Sequence, residues 1–161
     1  MNGWARVLMG FAVAGLGGWL VTGVQGRQLA PPDERALLGL HTQLGFVSTL
    51  ALLLADVWIL VFLLLAARAL ARLAPGRPEA VAAGSEARRV AALGALACAV
   101  VLSQPALAGL LYPDRLSATA HLLTGVGALV LEVVFLLLAG RALRRQARRF
   151  AVLDRPAAEP G

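Results

Sequence analysis

The sequence contains no lysine, only one cysteine and only two histidines. The single cysteine, Cys98, allows neither an internal disulfide nor a Cys-x-x-Cys metal site. Without a third histidine or a usable cysteine pair, a tetrahedral zinc site lacks ligands. The chain also has no basic-aromatic groove and no known nucleic-acid-binding module, so we expect no nucleic-acid partner.

Charge is nearly absent from four long parts of the chain. Hydrophobic residues make up 59% of it and the mean hydropathy is +0.76, values that soluble domains rarely reach. The charge-poor stretches are Val7–Gly26, Ala36–Ala67, Val90–Pro113 and Leu116–Gly140, and their only charged residues are Asp56 and Glu132. Each stretch exceeds the roughly 18 apolar residues that indicate a membrane-spanning helix. We therefore predict an all-α, polytopic membrane protein with one domain, residues 1–143, that forms a four-transmembrane-helix up-down bundle with spans of about 5–25, 36–68, 89–111 and 116–141.

The arginines are distributed unevenly about these spans. Twelve of the 15 lie at the N-terminus, between residues 68 and 89, or beyond residue 140, whereas Arg27, Arg35 and Arg115 follow spans one and three. By the positive-inside rule, both termini of this multi-pass protein are expected to be cytoplasmic, in a plasma (inner) membrane. The first apolar run of 20 residues exceeds a signal-peptide core of ~7–15 residues and precedes no clear cleavage site, so we expect it to be retained.

The segments outside the spans have compositions of their own. Proline, glycine and serine residues between 71 and 87 predict a flexible linker. Residues 144–161 are predicted to form a basic amphipathic cytoplasmic tail with a disordered end. The arginine stripe of the tail could lie on a surface of anionic lipid. The alternative, which the sequence favours equally, is a charged helix end surrounded by water. In span one, Gly10, Ala14 and Gly18 recur every four residues, which favours close packing within the chain, in a homodimer or with a partner subunit.

Spans two and four share a histidine pattern. The pattern His-x3-Gly-x2-small occurs twice, as His41, Gly45 and Ser48 and as His121, Gly125 and Ala128. A Pro-Asp pair begins nine residues before the first histidine and eight before the second, and both spans end in FLLLA-x-RAL. These matches suggest a duplicated two-helix hairpin, although the endings are offset by 73 residues and the histidines by 80.

The two histidines are expected at the same depth in the membrane. Each lies five residues inside the apolar run of its span, roughly 7–8 Å below the outer start of the run. Spans two and four run in the same direction and are diagonal neighbours in an up-down bundle. His41 and His121 can therefore be the two axial ligands of one haem b, with the small residues of both patterns leaving room for the macrocycle. The alternative is that each histidine hydrogen-bonds a neighbour at a helix interface.

Each histidine shares a helix face with an acid further along its span. Asp56 lies about 60° around the helix from its histidine, and Glu132 about 20°. The acids are about 22 and about 16 Å further inward, which is too far to touch a haem at the histidines. Because intramembrane carboxylates are costly, both are candidates for a proton relay. The alternatives are a neutral acid, or an ion pair with a cytoplasmic-end arginine such as Arg68 or Arg141.

The order of these residues resembles haem A synthase, a membrane family that oxidises haem O. The matching residues are His41 after LAPPDERALLGL and the segment SQPALAGLLYPDRLSATAH, in which Gln104 and His121 follow in family-like order. The resemblance implies a half-length oxidoreductase, one four-helix half of a family built from two, which would have to pair to rebuild the full enzyme. The family also has a glutamate just before the helix-two histidine, where Leu37 and Leu38 stand here, and loop cysteines that are missing here. These departures favour haem binding over synthase activity.

The sequence therefore predicts a membrane b-type haem protein with bis-histidine ligation, acting in electron transfer or haem modification. A second hypothesis comes from another class of protein. It is a haem-free integral membrane accessory subunit that assists the assembly of a larger complex and uses its histidines for packing. The absorption spectrum of the purified protein distinguishes the two hypotheses, because only the first predicts a haem chromophore.

Overall fold

A computed structural model of the protein describes the backbone of residues 3–28, 34–111 and 118–153, and the side chains of residues 6–24, 39–105 and 119–153. This part of the chain forms four α-helices and no strand. The helices are α1 (Gly3–Gln28), α2 (Glu34–Leu73), α3 (Pro78–Leu111) and α4 (Ala118–Leu153). The predicted all-α fold with four helices is confirmed.

Three of the helices are long and apolar enough to cross a membrane. The segments that meet this condition are Arg6–Val24 in α1, Gly39–Leu73 in α2 and Thr119–Leu153 in α4. The apolar part of α3 begins at Val90, and its side chains are described only as far as Pro105. The predicted span 89–111 therefore lies partly outside the described side chains. Large apolar residues such as Phe46 and Leu123 cover the outside of the bundle, as expected of a surface that faces lipid.

The helices pack as an up-down bundle, as predicted. α1 packs against α2, α2 against α3 and α3 against α4, and α4 closes the ring by touching α1. α2 also contacts α4 directly, whereas the described parts of α1 and α3 do not touch each other. The diagonal from α2 to α4 is therefore the short one, and side chains on these two helices can meet in the centre. The predicted duplication of a two-helix hairpin stays a prediction.

Small residues allow α1 to approach α2 closely. A Cβ atom at Gly15 would lie 2.7 Å from Leu52 Cγ, and one at Gly18 would collide with the Ser48 hydroxyl. Of the three small residues predicted to form one packing face, Gly18 therefore faces α2. Gly10 has no neighbouring atom within 4 Å of its Cβ position, and Ala14 is exposed. The α1–α2 interface thus uses Gly15 and Gly18, and the other two small residues lie on the outer surface.

The apolar core lies mainly in the half of the bundle nearer the arginine-rich helix ends. Its buried members are Ala12, Ala55, Ile59, Leu63, Val90, Ala97, Phe135, Leu136, Ala139 and Ala142. Phe135 of α4 lies against Gly94 of α3, where an added Cβ would stand 2.6 Å from Phe135 Cε2 and 2.7 Å from Leu60 Cδ2. A glycine at this position is what allows the phenyl ring to fill the space between α2, α3 and α4.

The predicted flexible linker between residues 71 and 87 is wrong. α2 continues to Leu73 and α3 begins at Pro78, so four residues connect them. Gly76 turns the chain with a φ of 74°, a left-handed conformation that glycine adopts readily. Pro78 suits the first position of a helix, where its missing N–H removes no hydrogen bond. The alanine-rich residues that follow favour helix strongly enough to override one glycine and one serine.

The arginine-rich ends of α2, α3 and α4 continue beyond the membrane. At 40 residues, α2 is about 60 Å long, twice the thickness of a ~30 Å hydrocarbon core. α4 also runs without a break to Leu153, so residues 144–153 of the predicted tail belong to this helix. The predicted disordered end, residues 154–161, lies outside the described residues.

Two polar contacts hold these helix ends together. Gln146 of α4 is 1% exposed, and its Nε2 donates to the backbone carbonyl of Leu63 on α2 at 3.4 Å. On α3, the two carboxylate oxygens of Glu86 each accept a hydrogen bond of 2.9 Å, one from Arg145 and one from Arg149. The basic tail is thus anchored to α2 and α3 at its base, and part of its predicted arginine stripe is paired with Glu86.

Candidate functional site

The two predicted histidines come together in the half of the bundle that lies away from the arginine-rich helix ends. His41 lies on α2 and His121 on α4, across the short diagonal, and both side chains are half-buried. The two imidazoles are close enough that the charge of one acts on the other. The prediction that they lie at a common depth on parallel helices agrees with this arrangement.

The ring of His41 is oriented by α1. One ring N–H donates to the backbone carbonyl of Thr22. Nδ1 is buried and has no hydrogen-bond partner among the described residues, so its lone pair is available to a ligand. A histidine that donates one N–H to a carbonyl and keeps the other nitrogen unprotonated has the form in which imidazole binds a metal.

A row of hydrogen bonds fixes this part of α1 on α2. The hydroxyl of Thr22 donates to the carbonyl of Trp19 at 2.8 Å, and Trp19 Nε1 donates to Thr49 Oγ1 at 3.1 Å. Thr22 and Thr49 are both buried. Because the Trp19–Thr49 bond joins the two helices about two turns below His41, and the Thr22 hydroxyl is bonded within α1, the Thr22 carbonyl is held in place for the imidazole. The sequence analysis missed Thr22, since a backbone carbonyl has no signature in the sequence.

Gln104 of α3 faces the same region. Its side chain is 8% exposed, and its Oε1 is buried without a donor among the described residues. This oxygen lies 4.0 Å from the Cβ position of Gly125, one turn below His121 on α4. The amide that the sequence analysis noted beside Pro105 is therefore a third polar group of the histidine layer, with an acceptor atom that a donor could still occupy.

The small residues that follow the histidines contact the neighbouring helices. A Cβ at Gly45 would lie 4.0 Å from Thr22 Cγ2, and Ser48 packs against Gly18 of α1. Ala128 is 1% exposed, and Gly125 faces the Gln104 amide. These residues bring α1 and α3 close to the histidine-bearing helices. Their predicted role of leaving room for a macrocycle stays a prediction.

A second polar layer lies deeper in the bundle and consists of Asp56 and Glu132. Both side chains are 0% exposed, and their carboxyl groups lie close to each other across the short diagonal. No donor of the described residues reaches Asp56 Oδ1 or either oxygen of Glu132. Ionised carboxylates only accept hydrogen bonds and repel each other, so two buried carboxyl groups this close are expected to hold a proton between them. Of the two alternatives considered for these acids, an ion pair with Arg68 or Arg141 is not found among the described residues, and the neutral acid stays a prediction.

Cys98 of α3 completes this layer. Its Sγ donates to Asp56 Oδ2 at 3.7 Å. The sequence analysis considered Cys98 only for disulfides and metal sites and therefore missed it. A signal existed, because Val90, Gly94, Ala97, Val101 and Gln104 recur at intervals of three and four and mark the buried face of α3. Cys98 adjoins that face, so its thiol could have been placed next to an acid of α2.

The two layers are chemically distinct and lie apart along the bundle. The histidine layer offers imidazole nitrogens and an amide oxygen, which suit a metal centre or a hydrogen-bond donor. The carboxyl layer offers a shared proton in an apolar surrounding. Glu132 follows His121 by 11 positions on α4, about 16 Å along the helix, so the two layers do not touch each other directly. Among the described residues, no three or more histidine, cysteine or acidic side chains are grouped for a metal ion.

Comparisons with protein-family profiles, with curated protein sequences and with solved structures found no match to this chain.

Proposed function

We propose that the protein binds one haem b between His41 and His121 and serves in electron transfer within the membrane. The observation that carries this proposal is the approach of the two imidazoles across the α2–α4 diagonal. The donor set suits haem b, since two imidazoles are a common pair of axial ligands. The bond from His41 to the Thr22 carbonyl adds support, because a second partner of this kind orients a ligating histidine.

A haem b held at this position supplies one-electron redox chemistry. The residues of the chain position and insulate it. The Thr22 carbonyl fixes the plane of the His41 imidazole, and the buried Gln104 oxygen can accept a hydrogen bond beside α4. The lipid-facing apolar residues of α2 and α4 keep water away from the histidine layer. Exclusion of water lowers the local dielectric constant and would thereby tune the redox potential of the haem.

The carboxyl pair is assigned a separate role in this proposal, that of holding one proton in the membrane interior. A shared proton lowers the cost of burying two acids, because the pair then carries one negative charge at most. The Cys98 thiol, a weak donor, further stabilises Asp56. Asp56 and Glu132 therefore remain the candidates for a proton relay.

The protein is proposed to reside in the plasma (inner) membrane of a bacterium or archaeon with both termini on the cytoplasmic side. The support is the position of the arginines, since twelve of 15 lie at the N-terminus, between residues 68 and 89, or beyond residue 140. The histidine layer then faces the outer side of the membrane, and the carboxyl layer lies closer to the cytoplasm.

The absorption spectrum of the protein purified with added haem b tests the proposal. A Soret band with sharp α and β bands on reduction is expected for a six-coordinate, bis-imidazole haem. Titration should saturate at one haem per chain. A protein that stays colourless after haem addition and detergent exchange would overturn haem binding, whatever its fold.

A haem-free accessory role is the second candidate function, and one observation favours it. Gly45 and Gly125 lie within van der Waals reach of Thr22 and Gln104, and Ser48 packs against Gly18, so α1 and α3 already fill space beside the histidines. In this case the histidines stabilise helix contacts. Purification from native membranes then returns a colourless protein together with a larger complex, and substitution of His41 lowers stability without changing any spectrum.

Synthase-type oxidation of haem remains a further proposal that rests on the resemblance to haem A synthase. One histidine pair supplies only one haem site, so a second copy or a partner half would have to supply the other. The test is expression in cells without their own haem A synthase, followed by haem extraction. Haem A in the extract would support synthase activity, and only haem B or haem O would leave electron transfer or assembly.

A further inference from the structure

A groove with two chemically different halves opens between α3 and α4 near the arginine-rich end of the bundle. It has a volume of ≈ 420 Å³. Val90, Leu93 and Leu138 line one half and arginines line the other. Apolar and cationic surfaces therefore meet within one site, as is expected of a site that binds an amphiphilic ligand with an anionic head group.

The groove lies where the apolar parts of its two helices end. The charge-poor stretch of α3 begins at Val90, directly after Arg89, and that of α4 ends at Gly140, directly before Arg141. Leu93 and Leu138 are thus on the membrane side of this boundary, and Arg89 and Arg141 are on the aqueous side. In a bilayer, this boundary is the level of the lipid phosphates.

The cationic half has an excess of positive charge. Arg89, Arg141, Arg145 and Arg149 line it together with one acid, Glu86. Glu86 is already bound to Arg145 and Arg149, at 2.9 Å each. Arg89 and Arg141 are exposed and make no ion pair within the described part of the chain. These two guanidinium groups are therefore available for an anion, and the paired arginines add to the field that attracts it.

We propose that this groove binds an anionic phospholipid, with its phosphate at Arg89 and Arg141 and an acyl chain along Leu93 and Leu138. Guanidinium groups bind phosphate oxygens in bidentate geometry, and basic pockets between transmembrane helices are suited to anionic head groups. The apolar half of the groove distinguishes a lipid from free phosphate, because only a lipid covers it. This site is independent of the histidine layer, so it can be present whether or not haem binds.

Native mass spectrometry of the full chain in detergent tests the site. The probes are dioleoylphosphatidylglycerol, dioleoylphosphatidylcholine and inorganic phosphate, each titrated separately. The wild-type protein should retain one phosphatidylglycerol and bind phosphatidylcholine and inorganic phosphate far more weakly. Equal binding of phosphatidylcholine would overturn the role of the phosphate charge. Equal binding of inorganic phosphate would overturn the assignment to a lipid.

Two double variants locate the site. Arg89→Gln with Arg141→Gln removes the unpaired guanidinium groups, and affinity for phosphatidylglycerol should fall about 30-fold, from the loss of their direct charge-assisted hydrogen bonds to the phosphate. Arg88→Gln with Arg144→Gln is the matched control, because it removes the same charge from adjacent exposed positions of the same helices that do not line the groove. The control should weaken binding no more than about twofold. Equal losses in both variants would overturn the groove and indicate a diffuse charge effect.

Discussion

The carboxyl groups of Asp56 on α2 and Glu132 on α4 lie close to each other at the centre of the bundle, and both side chains are fully buried. Cys98 donates to Asp56 Oδ2, and no other donor among the described residues reaches the pair, so the two acids are expected to share a proton. The pair joins the two helices of the short diagonal and separates the histidine layer from the arginine-rich end. The pair therefore stabilises the contact between α2 and α4 and is also a candidate site for holding a proton.

The shared proton predicts an infrared signature. At neutral pH the wild-type protein should show the C=O stretch of a protonated carboxyl that exchanges slowly with deuterium, because the pair is shielded from water. The double variant Asp56→Asn with Glu132→Gln should lack this band. Glu79→Gln, which changes an exposed acid at the start of α3, should retain it. An unchanged band in the double variant would show that the proton is held elsewhere.

The same pair predicts a difference in stability between two substitutions of one residue. Glu132→Gln keeps a side chain that can donate to Asp56, so it should lower the free energy of unfolding by about 1 kcal/mol or less. Glu132→Ala leaves Asp56 without its partner and opens a cavity, and should cost about 3 kcal/mol. Reversible unfolding in mixed detergent micelles measures both. A loss for Glu132→Gln as large as that for Glu132→Ala would mean that an amide cannot replace the acid and that packing does not determine the stability of this layer.

Close packing at Gly94 predicts a cost for a single added methyl group. In Gly94→Ala the new Cβ would meet Phe135 Cε2 at 2.6 Å and Leu60 Cδ2 at 2.7 Å, so we expect a loss of about 1–3 kcal/mol from overpacking. Gly127→Ala is the matched control, since it lies in a transmembrane helix with no atom within 4 Å of its Cβ position. The control should be neutral or slightly stabilising. Equal thermal midpoints for the two variants would contradict the observed contact.

Substitution of either histidine predicts a change in haem coordination. In His41→Ala or His121→Ala the iron loses one axial ligand, so the sharp low-spin reduced spectrum should disappear. Gln43→Ala serves as the control, because Gln43 is exposed on α2 only two residues from His41. Absorption and electron paramagnetic resonance spectra of the three variants measure the effect. Wild-type spectra in both histidine variants would place the haem away from this layer.

The uneven distribution of arginines predicts the orientation of the chain. A reporter fused after Gly161 should report the cytoplasm, because twelve of 15 arginines then lie on that side. A second reporter within residues 112–117 should report the outer side. The opposite localisation of the two reporters would mean that the chain has the inverse orientation, with the histidine layer at the inner face of the membrane. The packing of the helices would be the same in either orientation.

Periodicity and charge sufficed to predict much of the fold. A helix crosses a bilayer only if some twenty successive residues are apolar, so the charge-poor runs predicted the helices and their order before any packing was known. The same reasoning predicted that His41 and His121 approach each other. It failed for residues 71–87, because proline and glycine there were taken as signs of a linker, whereas Pro78 begins a helix and Gly76 forms the turn.

The partners of the acids could not be predicted in this way. Counting along the helices placed Asp56 about 22 Å and Glu132 about 16 Å from the histidines, at different depths. The structure nevertheless joins them, since the histidines are 80 positions apart and the acids 76, a difference of about one turn. An offset of one turn is compensated by the tilt of one helix relative to the other and by the length of the glutamate side chain.

The sequence by itself determined that this chain forms apolar helices, which end carries the arginines, and that its few polar groups lie within the spans. These properties follow from hydrophobicity and backbone hydrogen bonding, which act residue by residue along a helix. Only the tertiary structure decided that Asp56 meets Glu132 and Cys98, that Thr22 holds His41, and that Arg89 and Arg141 border one groove. Those contacts depend on how helices tilt and rotate against each other, and that is determined by the fit of many side chains at once.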